Sequence, residues 1–389
     1  MVHILFVAIF ALSFYKNGKS KKIFLTSFLI LYVFSVLRFR YGNDYIGYFE
    51  KFEQIQNGEN PFGLEILFYL LNLITGNYFV FIAFTSIGFL LAAYFLIIQN
   101  VDKHYTWYAL VVYLINPYIF LMSLSAIRQT LATVLFIFAL EYSRKRRMIE
   151  YGCLIALAVL IHKSAIVLLP LYFIANERRI TNAQIIVYSF LVIFFVYSED
   201  LFKGLVSLAL KVFNDPNYYY YFASDTSNSL RATLLSSMYF IYVAYNIPRL
   251  RSKTLLYAKM YLIGQTCVLF AYQLSMMTRF QIYFDIFSIV ALPMIVRTYW
   301  EPYATVIDGV GDLWNHSKKN VEEIRFYLLN RLEIVKPKNK WQRLLWLGNA
   351  VVFPCGLLLI YFARYYSFFS NPMWLSFVDY KTIFHGLFG

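Results

Sequence analysis

Arginines recur where long apolar segments of this chain begin or end: Arg38 and Arg40, Arg128, Arg231 and Arg279. A guanidinium is a planar fork of donors that stays charged at any relevant pH and grips phosphate oxygens in pairs. Several of them around one watery hollow would bind a phosphate or diphosphate, although each alone could snorkel to lipid headgroups or cap a helix end. Groups able to take a proton or aim a ligand stand beside them. In Arg40-Tyr41-Gly42-Asn43-Asp44-Tyr45 the Gly-Asn pair permits a turn that points Arg40 and Asp44 into one space, with Tyr48 shortly after; Asp44 could equally be the N-cap of a helix. Ser125-Ala126-Ile127-Arg128-Gln129 opens one apolar segment. Met277-Thr278-Arg279-Phe280 opens another, with Tyr283 one turn deeper and Asp285 deeper still. Asp285 must be protonated or paired there, and Gln281 is in reach at i−4.

His162, in Ile161-His162-Lys163-Ser164, has no Cys, Asp or second His nearby, so a zinc site is not expected and the residue reads as a base, a phosphate donor or a local hydrogen-bonding group. No metal or cofactor is expected. The Tyr218 to Tyr221 run could stack on sugar faces or populate a membrane interface. No GxSxG, Walker A, GxGxxG or HExxH context is present, which argues against standard hydrolases, NTPases, Rossmann enzymes and zincins.

The elements that must position these residues follow from composition. The 389 residues are 60% hydrophobic and 14% charged, with 39 Phe and 35 Tyr, far from a soluble domain at about 45–50% apolar and about 25% charged. The expected fold is all-α: one polytopic transmembrane domain over 1–389, with about twelve transmembrane helices and re-entrant or interfacial helices on the outer side. The apolar segments fall near 2–15, 22–38, 77–99, 105–123, 126–143, 148–161, 163–176, 182–198, 231–247, 254–275, 279–297 and 344–366. The first is followed rather than preceded by lysines, the reverse of a signal peptide, so a retained span is expected. Residues 62–75, where Glu65, Tyr69 and Asn72 recur at helical spacing, read as re-entrant or interfacial.

The net charge of +14 would suggest nucleic acid in a soluble chain. In a membrane chain it reports topology, because lysine and arginine collect in cytoplasmic loops. Alternation then places Lys16 to Lys22, Arg144 to Arg147, Arg178/Arg179, Arg249 to Lys253 and a basic segment at 298–343 inside, and an external loop with an amphipathic helix at 199–230. Arg38, Arg40, Asp44, Glu65, Arg128, His162, Arg231, Arg279 and Asp285 fall at or just below the outer surface. Arginines there run against the positive-inside preference, and an anionic ligand would offset that. Cys153, Cys267 and Cys355 form no motif.

The order Arg40-x-Gly-Asn-Asp44-Tyr45-x-x-Tyr48, Ile127-Arg128-Gln129, His162-Lys163-Ser164-Ala165 and a late Arg279 resembles the EpsG family of Wzy-type polysaccharide polymerases, over roughly residues 30 to 300. The resemblance implies a multi-pass protein of the bacterial inner membrane. It also implies a glycosyltransferase joining undecaprenyl-diphosphate-linked oligosaccharide repeats at the outer leaflet, in O-antigen, capsule or exopolysaccharide assembly, with a chain-length-regulating co-polymerase as a plausible partner. On that footing Arg128 and Arg279, helped by Arg40, hold the diphosphate, and Asp44 or His162 is the base. Tyr48, Gln129, Arg231 and Tyr283 line the substrate. The stretch Asn60-Pro61-Phe62-Gly63-Leu64-Glu65 departs from the family's Glu-Pro-Gly-like pattern, so Glu65 is left out of the expected site. A transporter or flippase of the same lipid is the alternative.

Overall fold

The computed structural model describes residues 9, 21–61, 63, 65–213, 230–301, 339–370, 376–378 and 380–382. These are almost wholly helical: α1 (Lys21–Val36), α2 (Tyr45–Gln56), α3 (Ile66–Thr75), α4 (Tyr78–Asn100), α5 (Thr106–Ile115), α6 (Phe120–Ser125), α7 (Ile127–Arg144) and α8 (Met148–Ile161), then a 3-10 helix at Lys163–Phe173. There follow α9 (Asn182–Tyr197), α10 (Glu199–Phe213), α11 (Leu230–Asn246), α12 (Ser252–Phe270), α13 (Met277–Asp285), α14 (Ser288–Glu301), α15 (Lys340–Leu347) and α16 (Phe353–Ser370). A two-residue antiparallel ladder, β1 (Arg38–Phe39) with β2 (Lys381–Thr382), is the one addition to the all-α expectation among the described residues.

The helix limits have local causes. Gly76 ends α3 in a left-handed conformation, φ +59°, and the Asn77 side chain then accepts the Phe79 and Val80 amides to start α4. A Thr181–Gln184 capping box opens α9. The segment expected as one helix over 105–123 is broken at Asn116-Pro117: proline has no amide to donate, and the Asn116 carboxamide takes the Tyr118 N–H at 3.1 Å. The segment expected over 279–297 bends by 60° between α13 and α14.

By length and apolarity, two helices are able to cross a membrane, Tyr78–Asn100 and Lys340–Ser370, or up to four if each bent pair is one span. The expected count of twelve is therefore not reached on that criterion among the described residues. Two features account for much of the shortfall. α7 and α12 carry Arg128, Gln129, Glu141, Lys253, Lys259 and Gln265, which lower their apolarity, yet α12 is buried along most of its length; its polar groups face protein. The His162 segments are short but form a tight hairpin, in which Tyr151 donates to the Leu168 carbonyl at 2.6 Å. At about 1.5 Å per residue in an α-helix and about 2.0 Å in a 3-10 helix, their 14 and 11 residues make two arms of matched length, about 21–22 Å.

α7 is the central strut, packed against α4, α8, the 3-10 helix and α13. Most of the core is one large cluster of aromatic and aliphatic residues from α1, α4 to α9, α11 to α14 and α16. A smaller one (Tyr45, Tyr48, Phe52, Ile55, Phe68, Tyr78, Phe81, Ile82, Ile127) seats α2 and α3 against the start of α7. α10 is amphipathic and turns 93° from α9. The residues 214–229, including the tyrosine run, most of 298–343 and, apart from Ile9, the apolar segment at 2–15 lie outside the described residues.

Candidate functional site

Four breaks in helical structure meet at the Arg128 end of α7. The first is the turn before α2. Gly42 adopts φ +109°, and a Cβ placed on it would lie 2.8 Å from the Leu124 carbonyl oxygen, so glycine is required by both conformation and contact. This close approach brings Asp44 against Ser125, the last residue of α6. Ser125 donates to the Asp44 carboxylate at 3.0 Å, and the Asp44 N–H donates to the same hydroxyl at 3.2 Å. Asp44 is the N-cap of α2 but makes no side-chain capping bond. Its carboxylate is spent on Ser125 instead.

The second break precedes α3 and carries Glu65, whose carboxylate is 2% exposed. One oxygen pairs with Arg128 Nη1. The other lies 3.0 Å from His162 Nδ1 and accepts the Lys163 backbone N–H at 3.1 Å. The third break is His162 itself, extended at φ −151°, ψ 111° between α8 and the 3-10 helix. The fourth opens α13: Gln129 donates to the Arg279 carbonyl, and Tyr283 shares a 2.7 Å hydrogen bond with Ser164, two residues past His162. Arg128 Nε lies 3.4 Å from the Tyr48 hydroxyl, with the guanidinium 5.8 Å from the Tyr48 ring centroid.

The structure thus brings together Asp44, Tyr48, Arg128, Gln129, His162, Tyr283 and the backbone of Arg279. The Arg279 and Arg40 side chains are exposed, Arg40 in a left-handed conformation at φ +51° with its guanidinium 5.4 Å from the Phe39 ring centroid. The Arg231 side chain lies outside the described ones. Asp285 is paired as the i−4 spacing predicts, accepting from Gln281 at 2.6 Å and also from Gln265 at 3.3 Å.

Glu65 was missed by motif and is the group that joins the rest. Its only signal was the polar face it shares with Tyr69 and Asn72. Burial alone would raise its carboxyl, but the His162 hydrogen bond, the Arg128 charge and the Lys163 amide hold it down at about 2. It is ionised and accepts only. Burial also pushes His162 below its ordinary value despite the opposing pull of Glu65, so the ring is neutral at pH 7. A neutral ring facing an acceptor must carry its proton on Nδ1, which leaves the Nε2 lone pair available to take a proton. No group of three or more His, Cys, Asp or Glu side chains able to hold a metal occurs among the described residues.

In this all-α, membrane-type bundle an ionised carboxylate lies between an arginine and an imidazole. A profile of the EpsG family matches residues 21–307, most of the chain and all of this site. The chain belongs to the EpsG family, whose members are Wzy-like polymerases and exopolysaccharide biosynthesis proteins. No curated protein and no solved structure matches it.

Proposed function

We propose that the chain is a polysaccharide polymerase, a glycosyltransferase that joins undecaprenyl-diphosphate-linked oligosaccharide repeats at the outer face of the bacterial inner membrane. The observation that carries this reading is Glu65 bridging Arg128 and His162. The reaction forms a bond between an acceptor hydroxyl oxygen and the anomeric carbon of the donor sugar, and breaks the bond from that carbon to the lipid diphosphate. His162 Nε2 takes the hydroxyl proton while Glu65 holds the ring and stabilises the imidazolium that results. Arg128, with Arg279 and Arg40, meets the negative charge that grows on the departing diphosphate. The two charges compensate: as the leaving group gains negative charge, the His162–Glu65–Arg128 unit becomes more positive by one proton.

Asp44, held by Ser125, positions the acceptor, and Tyr48, Gln129 and Tyr283 fix the arginines and the His162 turn. The outer face is assigned because the other end of α7 carries Arg144 to Arg147, the basic run that belongs in the cytoplasm. The shorter helices, the hairpin and the bent pairs complete the crossings toward a count of about twelve. A co-polymerase that sets chain length would dock outside the site. Purified protein incubated with lipid-linked repeats tests the reading: a ladder of longer products is expected. Unchanged substrate moved between leaflets would identify a flippase instead.

A further inference from the structure

Arg38 is 1% exposed, and its Nε and Nη1 have no hydrogen-bond acceptor among the described residues. No ion pair to it occurs among them either. Tyr41, Tyr45, Tyr78 and Tyr380 lie within electrostatic reach of it, and the hydroxyl of Tyr41 is itself buried without a partner among the described residues. A buried guanidinium beside phenols and away from carboxylates is rich in donors and poor in acceptors, which is unfavourable unless an anion can reach it. The C-terminal strap, 376–378 and 380–382, packs beside it. Its β2 residues pair with Arg38 and Phe39. Tyr380 stacks on Phe34 at 4.1 Å and donates to the Phe34 carbonyl at 2.6 Å, Phe377 meets Tyr41 edge-on at 5.2 Å, and Gly42 N–H donates to the Ser376 carbonyl at 3.3 Å.

We infer that Arg38 is the core of a second binding site for a phosphate-class anion, sheathed by this strap and opened when the strap lifts. The location fits such a role. Tyr45, beside Arg38, is three residues and so one turn of α2 from Tyr48, which contacts Arg128. The strap also bonds to Gly42 and Asn43, in the turn that aims Asp44. It lies beyond residues 21–307, so the sheath is built outside the part of the chain that the family profile matches. The inference rests on the diphosphate reading of the neighbouring Arg128 site, and its test uses no polymerisation, so each can fail alone.

Phe39 and Lys381 are opposite each other in the ladder, a spacing that a disulfide can bridge. The full chain with F39C and K381C, and its three native cysteines replaced by alanine, is labelled in nanodiscs with phenylglyoxal, and Arg38 modification is read by peptide mass spectrometry. One protein in two redox states removes any difference in folding. Arg38 should react about tenfold more slowly oxidised than reduced, and inorganic diphosphate should slow the reduced form by a similar factor. Equal labelling in the two states overturns the sheath. Labelling that diphosphate does not slow overturns the anion site.

Discussion

α7 carries a group of charges at each end, and the two groups are built in opposite ways. At the Arg144 end, Glu141 accepts from Arg144 at 2.8 and 3.0 Å, lies 3.5 Å from Lys253 and is approached by Tyr257 at 3.4 Å, while Arg144 also reaches Glu177 at 3.7 Å. The paired side chains there are 27–35% exposed. Water screens them, and several partners share each charge. At the Arg128 end one carboxylate, 2% exposed, is shared by an arginine, an imidazole and a backbone amide. Screened, redundant pairs fix where a helix end rests; a desolvated carboxylate shared by an arginine and an imidazole holds a stronger interaction.

The contrast can be broken most directly at Glu65. E65A removes the counter-charge of the half-buried Arg128 and the acceptor of the His162 ring, and should cost about 3–5 kcal/mol in a thermal or denaturant unfolding measurement and abolish chain growth. A melting transition unchanged from the parent would place Glu65 among the screened pairs. H162A should keep the fold and lower the initial polymerisation rate by about 10²–10⁴-fold, the usual range for removing a general base; added imidazole should restore part of the rate.

G42A sharpens the geometric side, since the left-handed turn and the 2.8 Å approach to Leu124 both resist a methyl group. A loss of about 1–3 kcal/mol is expected, with a lower rate from a misplaced Asp44, read by unfolding and by assay in parallel. The pH profile carries a definite sign. Folding lowers the proton affinity of His162, so its contribution is complete above the ordinary histidine value near 6.5 and fades as pH falls toward the lowered one. Glu65, at about 2, stays ionised throughout that range. Removing its charge with E65Q should move the acid limb of the rate profile to lower pH, and an acid limb that does not move would separate His162 from Glu65. At the other end of α7, E141A should change stability by under about 1 kcal/mol and the rate by less than about twofold.

The sequence made some of this legible and hid the rest for physical reasons. Arginines at the ends of apolar segments violate a strong topological preference, so Arg128 and Arg279 could be singled out, and the Gln129–Arg279 contact joins their helices across 150 residues. The Gly42-Asn43 turn and the Gln281–Asp285 pair follow from local spacing alone. Glu65 was discounted because the residues around it depart from the family's pattern, although its helical spacing with Tyr69 and Asn72 was visible. The break at Asn116-Pro117 is local but was hidden by the apolar flanks, whereas the ladder between Arg38 and Thr382 depends on residues distant in the chain. An 11-residue 3-10 helix opposite a 14-residue α-helix also escapes hydropathy, which counts residues rather than their rise.

The central claim is that the two ends of one helix differ in kind, only one of them doing chemistry. Purified R128A and R144A, each shown to be inserted and folded, are incubated with lipid-linked repeats and the products resolved by length. The account predicts a full ladder from R144A and none from R128A. Ladders of equal length from both would contradict it.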